Sequence, residues 1–284
     1  MSNELLSASF SGVSTRTEEK VQILEKEMLK MPQAACPVKH IFGPSIYIRQ
    51  VTIEADVFSI GHYQNEEHLN IMLAGRVTMV NEDGSHTELT APQTFTSKPG
   101  RKIGYIHEQM VWQNVYSTDE TNIEKLEERF LTKSVSWQDQ IKINNLLLTN
   151  STSEDITDYF QVLEEFGFNH DDVLVQVLNT EDQIEMPYGS WGFSLASSNI
   201  EGKGIFAASS FLEGDIVGPA RIAGMRTPLG RYTNHAKEPN AKMVLKDNGD
   251  IDLVMLKPIT GNMGGVSGEE ITVDYRQVLK LSLV

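Results

Sequence analysis

Residues 231–241, RYTNHAKEPNA, place an Asn-His pair, Asn234 and His235, immediately before a predicted β-hairpin. The hairpin is predicted because two strand-like apolar segments flank Asn248-Gly249, a dipeptide that favours tight turns between strands. An Asn-His pair alone is usually turn chemistry, so its neighbours along the chain decide its interpretation. Three further segments accompany it: GKGIFAASSFLEGDIV from Gly202, GDIDLVMLKPI from Gly249 and GEEITVDYRQ from Gly268.

The order and content of these four segments, within residues 186–280, resemble the SET-domain family of protein lysine methyltransferases. The resemblance implies a minimal SET β-fold with a pseudoknot, in which the last strand passes through a loop and brings Asn234-His235 against Asp274-Tyr275. It also implies that S-adenosyl-L-methionine binds on one side and that a protein lysine enters from the other. The residues implied to bind the cofactor are Lys203, Gly204, Ile205, Arg231, Asn234, His235 and Tyr275.

The chemistry of methyl transfer suits these residue types. The reaction needs a neutral amine, although a free lysine has a pKa of ~10.4. A channel that removes water from the ammonium lowers this pKa, so no strong base is needed, and positioning supplies much of the rate. The resemblance makes Tyr275 the catalytic residue and places Tyr232 in the substrate channel, the alternative being that Tyr232 fills the core. The alternative to an enzyme is a degenerate SET fold with a structural or interaction role.

A second candidate site lies in residues 61–77, GHYQNEEHLNIMLAGRV. In one continuous strand, His62, Gln64 and His68 would share a face because side chains alternate. Neutral imidazoles that converge inside a barrel can bind Zn, Fe, Ni or Mn. The spacing, with His107 after Gly104, resembles the two motifs of the cupin family.

The cupin resemblance implies a double-stranded β-helix barrel over residues 40–117, with His62, Gln64, His68 and His107 as ligands of a divalent metal. Gln64 stands where the family usually has His, and His68 where it commonly has Glu. One alternative is that these side chains line a barrel that binds nothing. Another is a metal-dependent enzyme in the barrel, and a third is a barrel that serves recognition or homo-oligomerisation.

The chain as a whole is predicted to be mainly β with a helical connector. Residues 117–182 hold four Lys or Arg against fifteen Asp or Glu, which suggests either a solvated helical face or an attractor for a basic protein. A first helix is predicted at residues 17–31 from its apolar spacing. The predicted regions are a helix and linker (1–39), the cupin-like barrel (40–117), an acidic helical connector (118–185) and the SET domain (186–284).

Composition narrows the classes of function. The net charge of −15 disfavours nucleic-acid binding, which calls for a basic face. No apolar run approaches the ~18 residues of a membrane span, and the N-terminus lacks the pattern of a secretory signal. The single cysteine, Cys36, excludes a disulfide framework within the chain. The prediction is therefore a cytoplasmic protein, in a bacterial or host cell, that acts on a protein lysine; the domain combination resembles bacterial and bacteriophage proteins.

Overall fold

The structure, a computed structural model, describes residues 18–148 and 153–281. Residues 1–17 of the predicted N-terminal region, including the predicted helix start at Thr17, lie outside the described residues. The described chain is mainly β, as predicted. None of its helices combines the length and the apolar character needed to cross a membrane.

The N-terminal part is a curled sheet preceded by helix α1 (Glu18–Met28). Its strands are β1 (Val38–Gly43), β2 (Ile46–Ile53), β3 (Val57–Ile60), β4 (Tyr63–Gln64), β5 (His68–Val80), β6 (His86–Thr90), β7 (Gln93–Ser97) and β8 (Ile103–Ser117). The long strands β5 and β8 pair with each other. Strands β6 and β7 pair with the other edge of β5, and strands β2 and β3 pair with the other edge of β8. We refer to β1–β3 with β5–β8 as the barrel.

The barrel curls because apolar residues on one face of its strands meet in a common core. Met72 and Val77 of β5 pack with Ile106 and Trp112 of β8, and all four are buried. Phe95 of β7 covers this cluster. The stretch NEDG, residues 81–84, forms the turn that joins β5 to β6, where Gly84 takes φ +83°, a conformation that favours glycine.

The middle region contains α2 (Ile123–Phe130), β9 (Leu131–Thr132), α3 (Val135–Leu148), α4 (Ser153–Phe166) and α5 (His170–Leu178). Asn122 begins α2 by accepting a hydrogen bond from the Lys125 backbone N–H, as an N-cap residue does. Leu126 and Phe130 on the buried face of α2 enter the central core. This region is therefore packed on both of its neighbours.

The C-terminal part contains two four-stranded sheets and the short helices α6 (Pro228–Tyr232) and α7 (Tyr275–Leu281). One sheet has the order β11 (Phe193–Ser197), β12 (Lys203–Ala207), β18 (Glu270–Val273), β15 (Asn234–His235). The other has the order β14 (Met225–Arg226), β13 (Ile216–Ile222), β17 (Ile251–Met255), β16 (Ala241–Leu245). The predicted hairpin at Asn248-Gly249 joins β16 to β17, and Gly249 has φ +85°.

The two-residue strand β15 pairs in parallel with β18, with Asn234 opposite Thr272 and His235 opposite Val273. The side chain of Asn240 reinforces this pairing. It accepts from the Thr272 backbone N–H at 2.8 Å and donates to the Glu270 carbonyl at 2.7 Å. The RYTNHAKEPNA stretch is thereby fixed to the last strand of the fold.

The barrel and the C-terminal part share a core. Strand β10 (Gly189–Trp191) pairs antiparallel with β1, so the C-terminal part extends the barrel sheet. Phe42 and Tyr47 of the barrel belong to the same buried cluster as Phe193 and Leu253. The regions predicted on either side of residues 118–185 are therefore joined by a sheet as well as by the chain.

Candidate functional site

The first candidate site lies where β15 meets the start of α7, just after β18. The Tyr275 backbone N–H donates to His235 Nδ1 at 3.1 Å, and the Tyr275 hydroxyl donates to the Thr233 carbonyl at 3.3 Å. The rings of His235 and Tyr275 lie 5.2 Å apart. We refer to Thr233, Asn234, His235, Glu270 and Tyr275 as the junction site; it brings together two stretches about forty residues apart in the chain.

Asn234 connects three segments of the junction site. Its side-chain amide donates to Glu270 Oε1 at 2.9 Å and to the Glu201 and Lys203 carbonyls, each at 3.2 Å. Burial raises the pKa of Glu270, which accepts a second hydrogen bond from the Ser198 hydroxyl. A Cβ at Gly204 would lie 2.2 Å from Glu270 Oε1, so glycine is required there for the carboxylate to approach. Two predicted cofactor ligands, Gly204 and Asn234, thus hold Glu270.

His235 is 2% exposed and links the junction site to helix α4. Since Nδ1 accepts from Tyr275, a neutral His235 ring carries its proton on Nε2 and donates it to Asp158 Oδ2 at 3.1 Å. Asp158 also accepts from Arg276 at 2.7 Å, and this bond to the guanidinium holds the pKa of Asp158 below its usual value. The imidazole is therefore fixed in both tautomer and orientation.

Helix α4 covers the junction site through its acidic face. Asp155 accepts from the Lys237 backbone N–H at 3.0 Å, and Glu165 accepts from Arg276 at 2.7 and 3.0 Å. The ring of Tyr159 lies 6.2 Å from that of Tyr275. The acidic composition of residues 117–182 predicted a solvated face or an attractor for a basic partner, and it did not predict this contact within the protein. The available signal was the spacing of Asp155, Asp158 and Glu165, which places the three on one helix face.

The other predicted cofactor ligands have different surroundings. Lys203 is exposed and pairs with Glu124 of α2 at 2.7 Å. The Ile205 side chain is fully buried in the core, opposite Ile271. Arg231 lies against the Tyr232 ring, 4.9 Å from its centroid, and Arg231 Nε is buried without a hydrogen-bond partner in the described chain. Tyr232 itself packs against the central core.

The four predicted metal ligands lie in unlike environments. Gln64 accepts a hydrogen bond from the Tyr116 hydroxyl, and the His62 ring lies edge-on to Trp137 at 4.8 Å. His68 is buried and hydrogen-bonds to the Glu66 carbonyl through Nδ1 at 2.9 Å. His107 hydrogen-bonds to the Thr78 hydroxyl at 2.7 Å.

These four residues do not assemble into a metal centre. His62 precedes the two-residue strand β4, and β5 begins only at His68, so the continuous strand that would align them is absent. His107 alternates on β8 with the core residue Ile106 and faces outward, whereas Lys102 Nζ lies 2.8 Å from His68 Nε2. Across residues 18–148 and 153–281, no group of three or more His, Cys, Asp or Glu is placed to bind one ion. We therefore derive no metal chemistry.

Comparisons with known proteins bear on the fold alone. No protein-family model matches the sequence, and no curated protein matches it significantly. Solved structures similar to about a third of the chain are cupin domains. A cupin domain from Bordetella pertussis Tohama I is 12% identical, with a TM-score of 0.26 over 31% of this chain and 98% of that one. Ectoine synthase from P. lautus is 13% identical, with a TM-score of 0.28 over 37% and 82%.

A third structure, the cupin domain of an XRE family transcriptional regulator from Enterobacter cloacae, is 14% identical, with a TM-score of 0.25 over 30% of this chain and 99% of that one. None of these three proteins is described as a methyltransferase or a SET-domain protein. At such low TM-scores the similarities say nothing of ligands or activity, and the site is interpreted from its own contacts.

Proposed function

We propose that the junction site binds S-adenosyl-L-methionine and transfers a methyl group to the side-chain amine of a protein lysine. The observation that carries the proposal is the position of the Tyr275 hydroxyl, 3.3 Å from the Thr233 carbonyl and beside the Asn234-His235 pair. A hydroxyl and a carbonyl side by side can orient a neutral amine, since both oxygens can accept an amine N–H and leave the nitrogen lone pair free to attack the methyl carbon. The SET-like order of the four sequence segments supports the same assignment.

The chemistry of Tyr275 fits this role. Burial raises the pKa of Tyr275, so the side chain stays a neutral hydroxyl at physiological pH. When bound, S-adenosyl-L-methionine supplies a methyl group on a positively charged sulfur. The protein then has to place the amine in line with that group, which lowers the entropic part of the barrier.

Arg231 supports the binding of the cofactor. Its buried Nε is a donor without a partner in the described chain, and an unpaired buried donor is costly. The amino-acid carboxylate of S-adenosyl-L-methionine is an acceptor of the right charge for it. Lys203, exposed at the start of β12, is a second cation in this part of the chain, paired with Glu124.

Helix α4 limits the space that is open to a cofactor beside the junction site. Beside the junction site, a cavity of about 160 Å³ is lined by Glu154, Thr157, Asp158, Gln161 and Lys237. This volume is smaller than the ~300 Å³ at which pockets for small molecules usually begin. The proposal therefore includes displacement of α4 when the cofactor binds.

Two experiments test the proposed activity. Isothermal titration calorimetry of the full chain with S-adenosyl-L-methionine should show binding that Asn234→Ala weakens. Incubation with the methyl-labelled cofactor and a bacterial lysate should then label lysine side chains of protein. Wild-type protein that neither binds the cofactor nor labels any protein contradicts the proposal.

A second candidate, a non-catalytic interaction unit, is favoured by the contacts of α4. Asp155, Asp158 and Glu165 hold the helix over the junction site, where the side chains of Asn234 and His235 already have partners inside the protein. Asp158→Ala helps to decide between the two candidates, because it loosens α4 and removes the acceptor of His235 while keeping all five side chains of the junction site. If the wild type and this variant both fail to bind the cofactor, the interaction role is supported. A metal-dependent enzyme in the barrel is not proposed, since its ligands do not assemble.

A further inference from the structure

The barrel has a partly open cavity of about 350 Å³ that no part of the proposed function uses. This volume lies in the range of about 300–1,000 Å³ that is usual for small-molecule sites. Its lining combines apolar side chains, including Leu89, Phe95 and Trp112, with polar ones, including Ser97 and Lys102. The cavity lies between the β5–β6 hairpin, β7 and the segment leading into β8.

Lys102 is the distinctive group in this lining. Its Nζ hydrogen-bonds to His68 Nε2 at 2.8 Å and lies 5.9 Å from the centroid of the Trp112 ring. Because His68 Nδ1 donates to the Glu66 carbonyl, Nε2 is the acceptor and Lys102 the donor. In the part of the chain that the structure describes, no carboxylate forms an ion pair with Lys102. Two of its three N–H groups have no partner among these contacts.

The neighbouring cation is balanced, in contrast to Lys102. Arg101 also lines the cavity, and its side chain is 3% exposed. It forms ion pairs with Glu18, at 3.1 Å, and with Glu25 of α1. The cavity wall therefore carries one positive charge without a paired anion, and a partly buried charge of this kind is costly unless a ligand pairs with it.

The apolar wall is rigid. The Trp112 indole N–H donates to Asn70 Oδ1 at 3.1 Å, which fixes the orientation of the ring. Phe95 lies edge-on to it, with centroids 5.5 Å apart and an interplanar angle of 82°. A preformed aromatic surface beside a cation is suited to a ligand with a flat apolar body and an anionic end.

We propose that the barrel cavity binds a small organic monoanion, a carboxylate with a flat apolar or aromatic body. Lys102 would hold the carboxylate, and Trp112 and Phe95 would contact the body. A single charge is favoured because Lys102 is the unpaired cation, and the repulsion from Glu82, also in the lining, grows with the charge of the anion. This proposal does not depend on methyl transfer at the junction site.

The first test compares three probes of similar size on the full chain at pH 6.5: benzoate, benzyl alcohol and benzylamine. Binding is followed by calorimetry and by the fluorescence of Trp112, with Trp112→Phe identifying its signal. Benzoate should bind at least about tenfold more tightly than the other two, since a charge-assisted hydrogen bond favours the anion. Equal binding of benzyl alcohol or benzylamine, or tighter binding of the dianion phenyl phosphate, overturns the proposal.

The second test removes the charge. Lys102→Met should weaken benzoate binding at least about tenfold, Lys102→Arg should retain part of it, and the exposed control Lys98→Met should leave it unchanged. Circular dichroism and urea unfolding verify that each variant is folded. Benzoate affinity unchanged in a folded Lys102→Met overturns the proposal.

A third test needs no variant. Burial lowers the pKa of Lys102 to about 8, and the charged or titratable groups around it are His68, Arg101 and Glu82. Benzoate binding should therefore weaken as the pH rises above about 8, because the neutral amine offers no charge to the carboxylate. Affinity that stays constant from pH 7 to pH 10 contradicts the assignment.

Discussion

The junction site and the barrel cavity are both polar clusters within β structure, but they differ in how their polar groups are paired. At the junction site, Asn234 and His235 hydrogen-bond to Glu270 and Asp158 inside the protein. In the cavity, Lys102 contacts only a neutral histidine and an aromatic ring among its described contacts. A satisfied network stabilises a fold, whereas an unpaired cation beside a cavity favours a ligand. The polar side chains of the junction site, which carries the recognisable motif, are therefore more completely paired within the protein than Lys102 of the cavity.

The largest expected effect separates catalysis from structure at the junction site. Tyr275→Phe should lower methyl transfer about a hundredfold or more, since loss of one hydrogen-bonding group positioned at the reacting atoms commonly costs that much. Its stability should fall by only about 1 kcal/mol, the typical value of one hydrogen bond. The rate of methyl transfer is measured with the labelled cofactor, and the stability is measured by urea unfolding.

The matched control for this prediction is Tyr63→Phe, which removes a hydroxyl from an exposed tyrosine of β4. It should leave transfer unchanged. If Tyr275→Phe transfers methyl groups at the wild-type rate, Tyr275 is not the catalytic residue.

The next effect compares the two buried asparagines that organise these regions. Asn70 accepts from Trp112 Nε1 at 3.1 Å and from Asn114 Nδ2 at 3.0 Å, and Asn234 donates to Glu270. Asn70→Ala and Asn234→Ala should each destabilise the protein by about 2–3 kcal/mol, because buried partners lose their hydrogen bonds. The free energy of unfolding in urea measures this, with Asn248→Ala in the exposed turn as the control. A loss below about 1 kcal/mol for either core variant would show that water replaces the lost bonds.

A smaller effect concerns the covering helix. Asp158→Ala should cost about 1–2 kcal/mol, because His235 and Arg276 lose a buried acceptor. The same change should strengthen binding of S-adenosyl-L-methionine if α4 must move for the cofactor to enter. Scanning calorimetry measures the change in stability, and titration calorimetry measures the change in cofactor affinity. Asp139 is an exposed acid of α3, and Asp139→Ala controls for the change in charge. Loss of cofactor binding in Asp158→Ala would mean that α4 forms part of the binding site.

The smallest expected effect is an increase in stability. Lys102→Met should stabilise the ligand-free protein by an amount of the order of 1 kcal/mol at pH 6.5, since it removes a desolvated charge. The pKa of Lys102 is about 8 in the folded chain and ~10.4 for an ordinary lysine, so between these values the unfolded chain binds more protons. The free energy of unfolding of the wild type should therefore rise as the pH increases through that window, because Lys102 loses its proton in the folded chain. Lys102→Met should not show this increase. Urea unfolding of both proteins at pH 6.5 and 9.5 measures the difference; equal pH dependence would contradict it.

Local features of the fold were predictable from the sequence because short-range chemistry determines them. The turns at NEDG and Asn248-Gly249 need residues that adopt positive φ, and Gly84 and Gly249 do so. The contact between His235 and Tyr275 was expected from a family resemblance, not from a physical rule. Periodicity and turn chemistry therefore supplied the elements, and the motif order supplied one long-range contact.

The remaining features depend on tertiary packing, which a periodic pattern does not encode. The spacing of α4 shows which residues share a face, but not that Asp158 docks on His235. The metal prediction assumed a strand running from His62 to His68, whereas the chain leaves β4 after Gln64. Lys102 lies outside every motif considered, yet its contact with His68 determines the character of the cavity.

Strand β10 has a practical consequence for dividing the chain. Because its hydrogen bonds with β1 link sequence segments roughly 150 residues apart, a fragment ending near residue 117 would leave β1 with an open edge and Phe42 and Tyr47 in contact with water. Open edges and exposed aromatic clusters promote aggregation. Either half expressed alone should be insoluble, and heating the intact chain should give one calorimetric transition for the barrel and the C-terminal sheets together.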